Sequence, residues 1–150
     1  MNFFAPQPPE PPWYASGLAF ECRQCGRCCS GPEEGFVWVN DVEITRIAAF
    51  VNLSAQVLRD RFLRRVSGRY TVIEQPRTRD CAFLVPDAGG AKRCAIYPVR
   101  PAQCRTWPFW RHNLDAAGSW LRAGQRCPGI NRGRSYSRHE IEETLKTTSE

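Results

Sequence analysis

The sequence is poor in lysine and histidine. Lys92 and Lys146 are the only lysines, so arginine supplies nearly all of the 21 basic residues and the formal net charge of +6. His112 and His139 are the only histidines, and we find no serine–histidine–acid arrangement of the kind that hydrolases use. We therefore expect neither a hydrolase of that class nor histidine ligands to a metal. The positive charge permits an acidic partner.

Long apolar runs are also missing. No run approaches the ~20 residues that a membrane-spanning helix needs. Residues 1–20 have no basic start and no long apolar stretch, and five prolines lie between Met1 and Pro12, which is unlike a secretory signal peptide. We therefore expect no membrane partner and a cytoplasmic protein whose thiols stay reduced.

Several cofactor motifs are absent. The sequence has no P-loop and no Gly-x-Gly-x-x-Gly run, which argues against those two nucleotide-binding folds. The radical-type Cys-x-x-x-Cys-x-x-Cys spacing is missing, and Cys29 occupies the position that histidine would take in a Cys-x-x-Cys-His haem attachment site.

Cysteine, in contrast, is abundant and clustered. Four of the eight cysteines form the run Cys-x-x-Cys-x-x-Cys-Cys; the full set is Cys22, Cys25, Cys28, Cys29, Cys81, Cys94, Cys104 and Cys127. Two residues between thiols let a tight turn direct several sulfurs to one point, as a soft metal ion or an iron–sulfur cluster requires. A disulfide needs only two sulfurs at a set separation. We therefore interpret the chain as a metal-thiolate protein and all eight cysteines as candidate ligands.

The four distant cysteines are expected to complete a site that begins in this run. A predicted hairpin brings Cys81 and Cys94 together, and a predicted helix start presents Cys104. Such a site couples metal binding to folding. Adjacent residues do not easily direct both side chains to one centre, so we expect Cys28 and Cys29 to serve different sites, unless one of them only supports the other ligands. Eight thiols suffice for two four-sulfur sites or for one site with spare thiols, and the sequence leaves this partition open.

Two metal identities fit the pattern. The spacing of Cys22, Cys25 and Cys28 matches the first three ligands of bacterial ferredoxins, and Cys127-Pro128 is similar to their distant Cys-Pro ligand, which favours a [4Fe–4S] cluster. All-sulfur coordination also suits tetrahedral Zn²⁺. Either centre would stabilise the fold, with electron transfer or metal handling as the associated role.

Arginines adjoin many of these cysteines. The neighbours are Arg23, Arg27, Arg93, Arg105 and Arg126. Thiolate centres carry net negative charge, which guanidinium groups offset. We expect this role around the bound centre for Arg23, Arg27, Arg100 and Arg105.

The remaining pattern predicts an α+β fold: a small, loop-rich, metal-stapled single domain with a helix pair, a β-hairpin and a C-terminal helix. A Pro-rich tail over residues 1–16, with Trp13 and Tyr14 docked on the domain, precedes a cysteine-cluster domain over 17–150. The predicted strands are 36–39, 70–73 and 120–121, and the hairpin pairs 81–85 with 93–97 across a turn at 86–90. The predicted helices begin after Asn40 or Asp41, after Ser54 (through Val66, with Gly68 as the stop), at Pro101 and after Ser137 (138–146).

The assembled pattern resembles the YkgJ-type cysteine-cluster family, which carries a CxxCxxCC motif and is thought to chelate zinc or iron. The matching segments are Cys22–Cys29, Asp80–Leu84, Cys94–Pro108 and Cys127–Gly129. Some relatives are flagellin lysine methylases, so the resemblance also implies an alternative, a protein-modifying enzyme or subunit. The chain offers no evident room for a methyl-donor domain. A third alternative is a zinc-stapled module for protein or nucleic acid, although the sequence shows no strong platform of interleaved basic and aromatic residues.

Overall fold

The computed structural model describes residues 6–148 of the chain. Its helices are α1 (Asp41–Phe50), α2 (Ala55–Phe62), α3 (Ala102–Thr106), α4 (Arg111–Leu114), α5 (Ala117–Arg126) and α6 (Arg138–Thr147). Its strands are β1 (Leu18–Phe20), β2 (Trp38–Val39), β3 (Leu63–Val66), β4 (Arg69–Val72), β5 (Leu84–Pro86), β6 (Lys92–Cys94) and β7 (Ile130–Tyr136). The expected mixture of helix and sheet is confirmed. None of the described helices is long and apolar enough to cross a membrane.

Helices α1 and α6 begin at the caps that the sequence predicts. The Asn40 side chain accepts the backbone N–H of Glu43, and the Glu43 carboxylate accepts the N–H of Asn40. Ser137 and Glu140 form the same reciprocal pair at the start of α6. Each capping box satisfies backbone donors that the first turn leaves unpaired.

The prediction for the second helix is wrong at its end. Helix α2 stops at Phe62, and β3 takes the residues through Val66. Ser67 (φ 50°) and Gly68 (φ 81°) both adopt left-handed backbone conformations, which suit a two-residue hairpin turn between β3 and β4. Gly68 therefore turns a hairpin instead of ending a helix.

The prediction of a strand at Trp120 is also wrong. Trp120 lies in α5, and its ring stacks on Phe109 at a centroid distance of 5.7 Å. The short apolar pair fits either element, and the buried face formed with Ser119 and Ala123 selects the helix. The strand predicted at 70–73 is present with the predicted length as β4, one residue earlier, whereas β2 and the β5–β6 hairpin are shorter than predicted.

Three small antiparallel sheets organise the strands. Strands β2, β4 and β3 lie in that order in one sheet, and β5 pairs with β6 in another. Strand β1 pairs with the distant β7, which places Leu18 opposite Tyr136. This last pairing was not predicted, and it joins the two ends of the cysteine-containing region.

The apolar side chains form two separate cores. The first core packs α1 and α2 on the three-stranded sheet and contains Val39, Ile44, Ile47, Ala48, Leu58, Leu63, Val72, Phe83 and Ile96. The second core contains Phe20, Phe109, Leu114, Trp120, Ala123, Ile130 and Ile141. Cys81 and Cys94 pack against the first core, whereas Cys22 and Cys127 pack against the second.

Trp13 docks on the second core, as predicted. Its indole N–H donates to the backbone oxygen of Leu114 at 2.7 Å, and its ring lies 6.4 Å from Trp120. Residues 6–12 of the predicted Pro-rich tail form no helix or strand. Residues 1–5 of that tail lie outside the described residues.

Candidate metal centre

All eight cysteines line one cavity of about 80 Å³ between the two cores. None of them forms a disulfide. Apolar walls come from both sides, with Val72 and Phe83 from the first core and Phe20 from the second. The fold therefore gathers thiols that are up to about a hundred residues apart in the sequence around one space.

The CxxCxxCC segment reaches this cavity through a tight turn. Gly26 has a left-handed backbone (φ 73°) and precedes a single-turn 3-10 helix, Arg27–Cys29. The left-handed backbone favours glycine at this position, and a Cβ there would also displace a methyl carbon of Leu84 at 2.7 Å. The Ser30 hydroxyl closes the turn by donating to the Gly26 carbonyl at 2.9 Å.

Four different segments of the chain carry the distant cysteines. The Cys81 N–H donates to the Cys29 carbonyl at 2.8 Å, which joins Cys81 directly to the motif. Cys94 ends β6, and Cys104 lies in α3. Cys127 follows α5, and its sulfur accepts the indole N–H of Trp107 at 3.4 Å.

Cys28 and Cys29 point to the same side of the turn. Their sulfurs are 3.7 Å apart and both line the cavity, contrary to the expectation that neighbouring side chains diverge. The pKa of Cys28 is raised, first by the hydrogen bond with Cys29 and then by burial. The Cys28 residue lines the cavity and retains exposed area.

Cys28, Cys81, Cys94 and Cys104 form an electrostatically linked group, which we call the inner set. Burial is the main cause that raises the pKa of Cys81 to about 11, and burial also raises the pKa of Cys94 and Cys104. Repulsion between thiols adds to each of these increases: Cys28 acts on all three, and Cys22, outside the set, also acts on Cys94. Without a cation, thiolates at these positions are therefore unfavourable.

The donor set fits a thiolate-bound metal. A cation would offset the burial and repulsion that keep the inner thiols protonated, and binding would release their protons. Within residues 6–148, no group of three or more cysteine, histidine, aspartate or glutamate side chains is already arranged to hold an ion. Thiolate binding by this cavity would require deprotonation of its thiols.

Arg100 is the arginine with the clearest influence on the inner set. It lines the cavity, and its positive charge favours the thiolates of Cys28, Cys94 and Cys104 by opposing the increase in their pKa. Its guanidinium lies 3.7 Å from the Tyr97 ring centroid and donates to the Tyr97 carbonyl at 3.0 Å. Arg100 is thus held in place next to the sulfurs.

Of the other three predicted arginines, Arg23 also lines the cavity, and it pairs with Glu21 at 3.9 Å. Arg27 is exposed, and the exposed Arg105 donates to the Arg100 carbonyl. Their proposed influence on a bound centre stays a prediction.

Arg126 acts on the backbone of the motif. From the end of α5 its guanidinium donates to the carbonyl of Arg27 at 2.9 Å and to that of Ser30. It therefore ties the turn that carries Cys28 and Cys29 to the helix that precedes Cys127.

Two buried polar residues that position α3 were missed by the sequence analysis. The Glu43 carboxylate accepts the Ala102 N–H at 2.7 Å, which joins the start of α3 to α1. Gln103 hydrogen-bonds the backbone of Phe36 and Trp38. Both residues occur in amphipathic helical segments, where glutamate and glutamine are common, so the sequence carried no signal for these long-range bonds.

Comparison with known proteins supports a metal-binding role. The family model described as "CxxCxxCC: Putative zinc- or iron-chelating domain" matches residues 21–135. The uncharacterized protein MJ0661 of Methanocaldococcus jannaschii is 29% identical over 96 residues, which are 64% of this chain and 48% of that protein. The chain thus spans about half the length of this relative. No solved structure matches the chain.

Proposed function

Since the chain belongs to the CxxCxxCC family of zinc- or iron-chelating domains, we propose that the cavity between its two cores is the chelating site and that it binds metal through thiolate sulfur. The observation that carries this proposal is that all eight cysteines line one cavity. Sulfur is the donor that zinc and iron–sulfur centres share.

The inner set supplies the four ligands of the primary centre. Four thiols match the ligand number of tetrahedral zinc and of a [4Fe–4S] cluster. Cys28 comes from the motif, whereas Cys81, Cys94 and Cys104 come from three other segments, so the bound centre links four parts of the chain. This set differs from the ferredoxin-like combination of Cys22, Cys25, Cys28 and Cys127.

The remaining thiols, which we call the outer set, are Cys22, Cys25, Cys29 and Cys127. Cys29 is the nearest reserve ligand, because its 3.7 Å distance from the Cys28 sulfur is close to the ~3.8 Å between sulfurs of a tetrahedral ion bound at ~2.3 Å. Cys25 is exposed at the rim and offers a first contact for metal that enters or leaves. This arrangement supports metal handling as the role of the domain.

The bound metal is a zinc ion or an iron–sulfur cluster, and the two centres would give the protein different properties. Zinc is redox-inactive and would stabilise the fold, whereas an iron–sulfur cluster would also exchange single electrons. The Arg100 guanidinium beside the inner set would offset the negative charge of either thiolate centre.

Elemental analysis and an absorption spectrum of protein purified without oxygen test the proposal. A brown sample with broad visible absorbance and stoichiometric iron would identify the cluster, and a colourless sample with stoichiometric zinc would identify the ion. A reduced, folded sample that contains neither metal would contradict the proposed function.

A further inference from the structure

The three-stranded sheet has one face in the first core. On its other face Thr71 is fully buried, whereas Arg64 and Arg69 are exposed. Val39, Leu63 and Val72 belong to the buried face, and β-strand side chains alternate between faces. Trp38 and Arg64 both lie opposite Thr71 in the register, and therefore share the other face with it.

Four side chains on this outer face form a continuous ladder, which we call the arginine–aromatic ladder: Arg64, Phe36, Trp38 and Arg69. The Phe36 and Trp38 rings are stacked, with centroids 5.3 Å apart and an interplanar angle of 7°. The guanidinium of Arg64 lies 5.3 Å from the Phe36 centroid, and that of Arg69 lies 4.3 Å from the Trp38 centroid. Residues about thirty positions apart thus create the basic and aromatic platform that is not visible in the sequence.

A groove of about 390 Å³ opens next to the ladder. Trp38, Arg65, Arg69 and Tyr70 line it, and the Arg65 guanidinium lies 5.3 Å from the Tyr70 centroid. Two carboxylates also line this groove: Glu43 already accepts two backbone N–H groups, and the exposed Asp41 pairs with Arg59 at 3.2 Å. The groove therefore adds one further arginine, Arg65, and one further ring, Tyr70; the register places both on the Val39 face of the sheet, and they line the groove together with Trp38 and Arg69.

The arginine charges of this surface are available to bind phosphate. Arg65 and Arg69 have no carboxylate partner among the ion pairs of residues 6–148. Arg64 pairs with Glu34 at 3.1 Å, but both side chains are largely exposed, so a phosphate can replace that carboxylate. The protein as a whole carries a formal charge of +6.

We propose that the arginine–aromatic ladder and its groove bind single-stranded nucleic acid. Within the ladder the Phe36 and Trp38 rings already stack on each other and on the two arginines, so unpaired bases would stack on the guanidinium planes of Arg64 and Arg69 at its ends. Arginines would also bind the phosphates. An acidic peptide would use the charge but not the stacked rings, and a duplex would keep its bases inside. This inference rests on the outer sheet face and does not depend on the metal bound on the other side of the sheet.

Fluorescence anisotropy with the full, metal-loaded chain tests this proposal. The probes are labelled oligouridylate and oligothymidylate of about 12 nucleotides, within the usual site size of such surfaces. If three arginines contact phosphate, affinity should fall about 20-fold between ~50 and ~200 mM salt. Absence of binding at the lower salt concentration would overturn the proposal. Equal affinity for a duplex of the same length, or tighter binding of polyglutamate, would overturn it as well.

Variants separate stacking from charge. Trp38→Leu should weaken binding about 10-fold, and Trp38→Phe should retain most of the affinity because it keeps a π-face. The double change Arg65→Gln and Arg69→Gln should reduce the magnitude of the salt slope by about 1.4. A double change of the exposed Arg77 and Arg132 to Gln removes the same charge elsewhere and should leave the slope unchanged. Equal effects of the two double variants, or wild-type affinity of Trp38→Leu in a sample with an unchanged melting curve, would refute the assigned surface.

Discussion

The side-chain amide of Gln103 hydrogen-bonds the backbone on both sides of Val37. The Trp38 N–H donates to the Gln103 carbonyl oxygen at 2.9 Å, and the Gln103 NH₂ group donates to the Phe36 carbonyl at 2.8 Å. Gln103 is buried and so acts as a strand partner for β2. Because the next residue is Cys104, this contact fixes the position of one inner thiol relative to the sheet.

Gln103→Ala should therefore destabilise the domain and weaken metal binding. The change leaves two backbone groups unpaired in a buried setting, at a cost of about 2–3 kcal/mol in the free energy of unfolding. Urea denaturation measures that cost, and metal titration measures the effect on the site. Gln56→Ala is the matched control, because Gln56 is exposed and bonds only Asp60, so it should change stability by less than about 0.5 kcal/mol. Equal losses in both variants would contradict the positioning role.

Replacement of cysteines distinguishes the inner set from the ferredoxin-like combination. Cys104→Ser should lower metal affinity by more than the ~10–100-fold that loss of a group supporting a ligand costs. Cys25→Ser should keep the metal stoichiometry but slow metal transfer to a chelator, because Cys25 lies at the rim. Metal content by mass spectrometry and the rate of chelator exchange are the measurements. Loss of metal in Cys25→Ser with full retention in Cys104→Ser would assign the primary centre to the other combination.

Arg126→Gln should loosen the CxxCxxCC turn. The variant removes the hydrogen bonds to the carbonyls of Arg27 and Ser30, and we expect a loss of about 1–2 kcal/mol in stability with faster amide exchange over residues 22–30. Arg122→Gln is a control on the same helix, since Arg122 donates to Ser119 within α5. Exchange rates in the turn that match those of the control would show that Arg126 does not hold it.

The capping box of α6 should give the domain an acid-sensitive contribution to stability. The Ser137 backbone N–H, 2.8 Å from the Glu140 carboxylate, is the main cause that holds the pKa of Glu140 below its ordinary 4.5, and Arg134 and His139 act in the same direction. A lowered folded-state pKa contributes stability above pH 4.5, and this contribution disappears as the pH falls through the folded-state value.

Glu140→Gln tests that contribution, because the amide can keep the cap without the charge. The variant should be less stable than the wild type at neutral pH, and the difference should vanish in acid. Urea midpoints across the pH range measure it, with Glu142→Gln as a control outside the cap. A difference that stays constant in acid would argue against the carboxylate.

The parts of the fold that were predicted correctly are those determined by residues close together in the sequence. The caps at Asn40 and Ser137, the turn between β5 and β6 and the short helix after Pro101 all have local chemistry that reads directly from the sequence. The end of α2 and the helix around Trp120 depend instead on tertiary packing. Strand β7 was missed because polar residues fill most of it and its partner β1 lies more than a hundred positions away.

The candidate site, too, was only partly predictable from the sequence. The cysteine spacing predicted eight metal ligands in one or two centres. All eight thiols line one cavity, and their role as ligands stays a prediction. The membership of the inner set could not be predicted from the sequence, because it depends on how the two cores pack around the cavity. Gln103 and Glu43 hold α3 in place through hydrogen bonds to residues about sixty positions away in the sequence. Local sequence patterns do not predict such long-range bonds.

The clasp between β1 and β7 places Leu18 opposite Tyr136, so these two strands close a segment that contains all eight cysteines. A backbone cut at the exposed turn of Gly89 leaves β1 in one fragment and β7 in the other, still paired. The nicked protein should therefore stay assembled and retain the thiol cavity, which size-exclusion chromatography and thiol accessibility can measure.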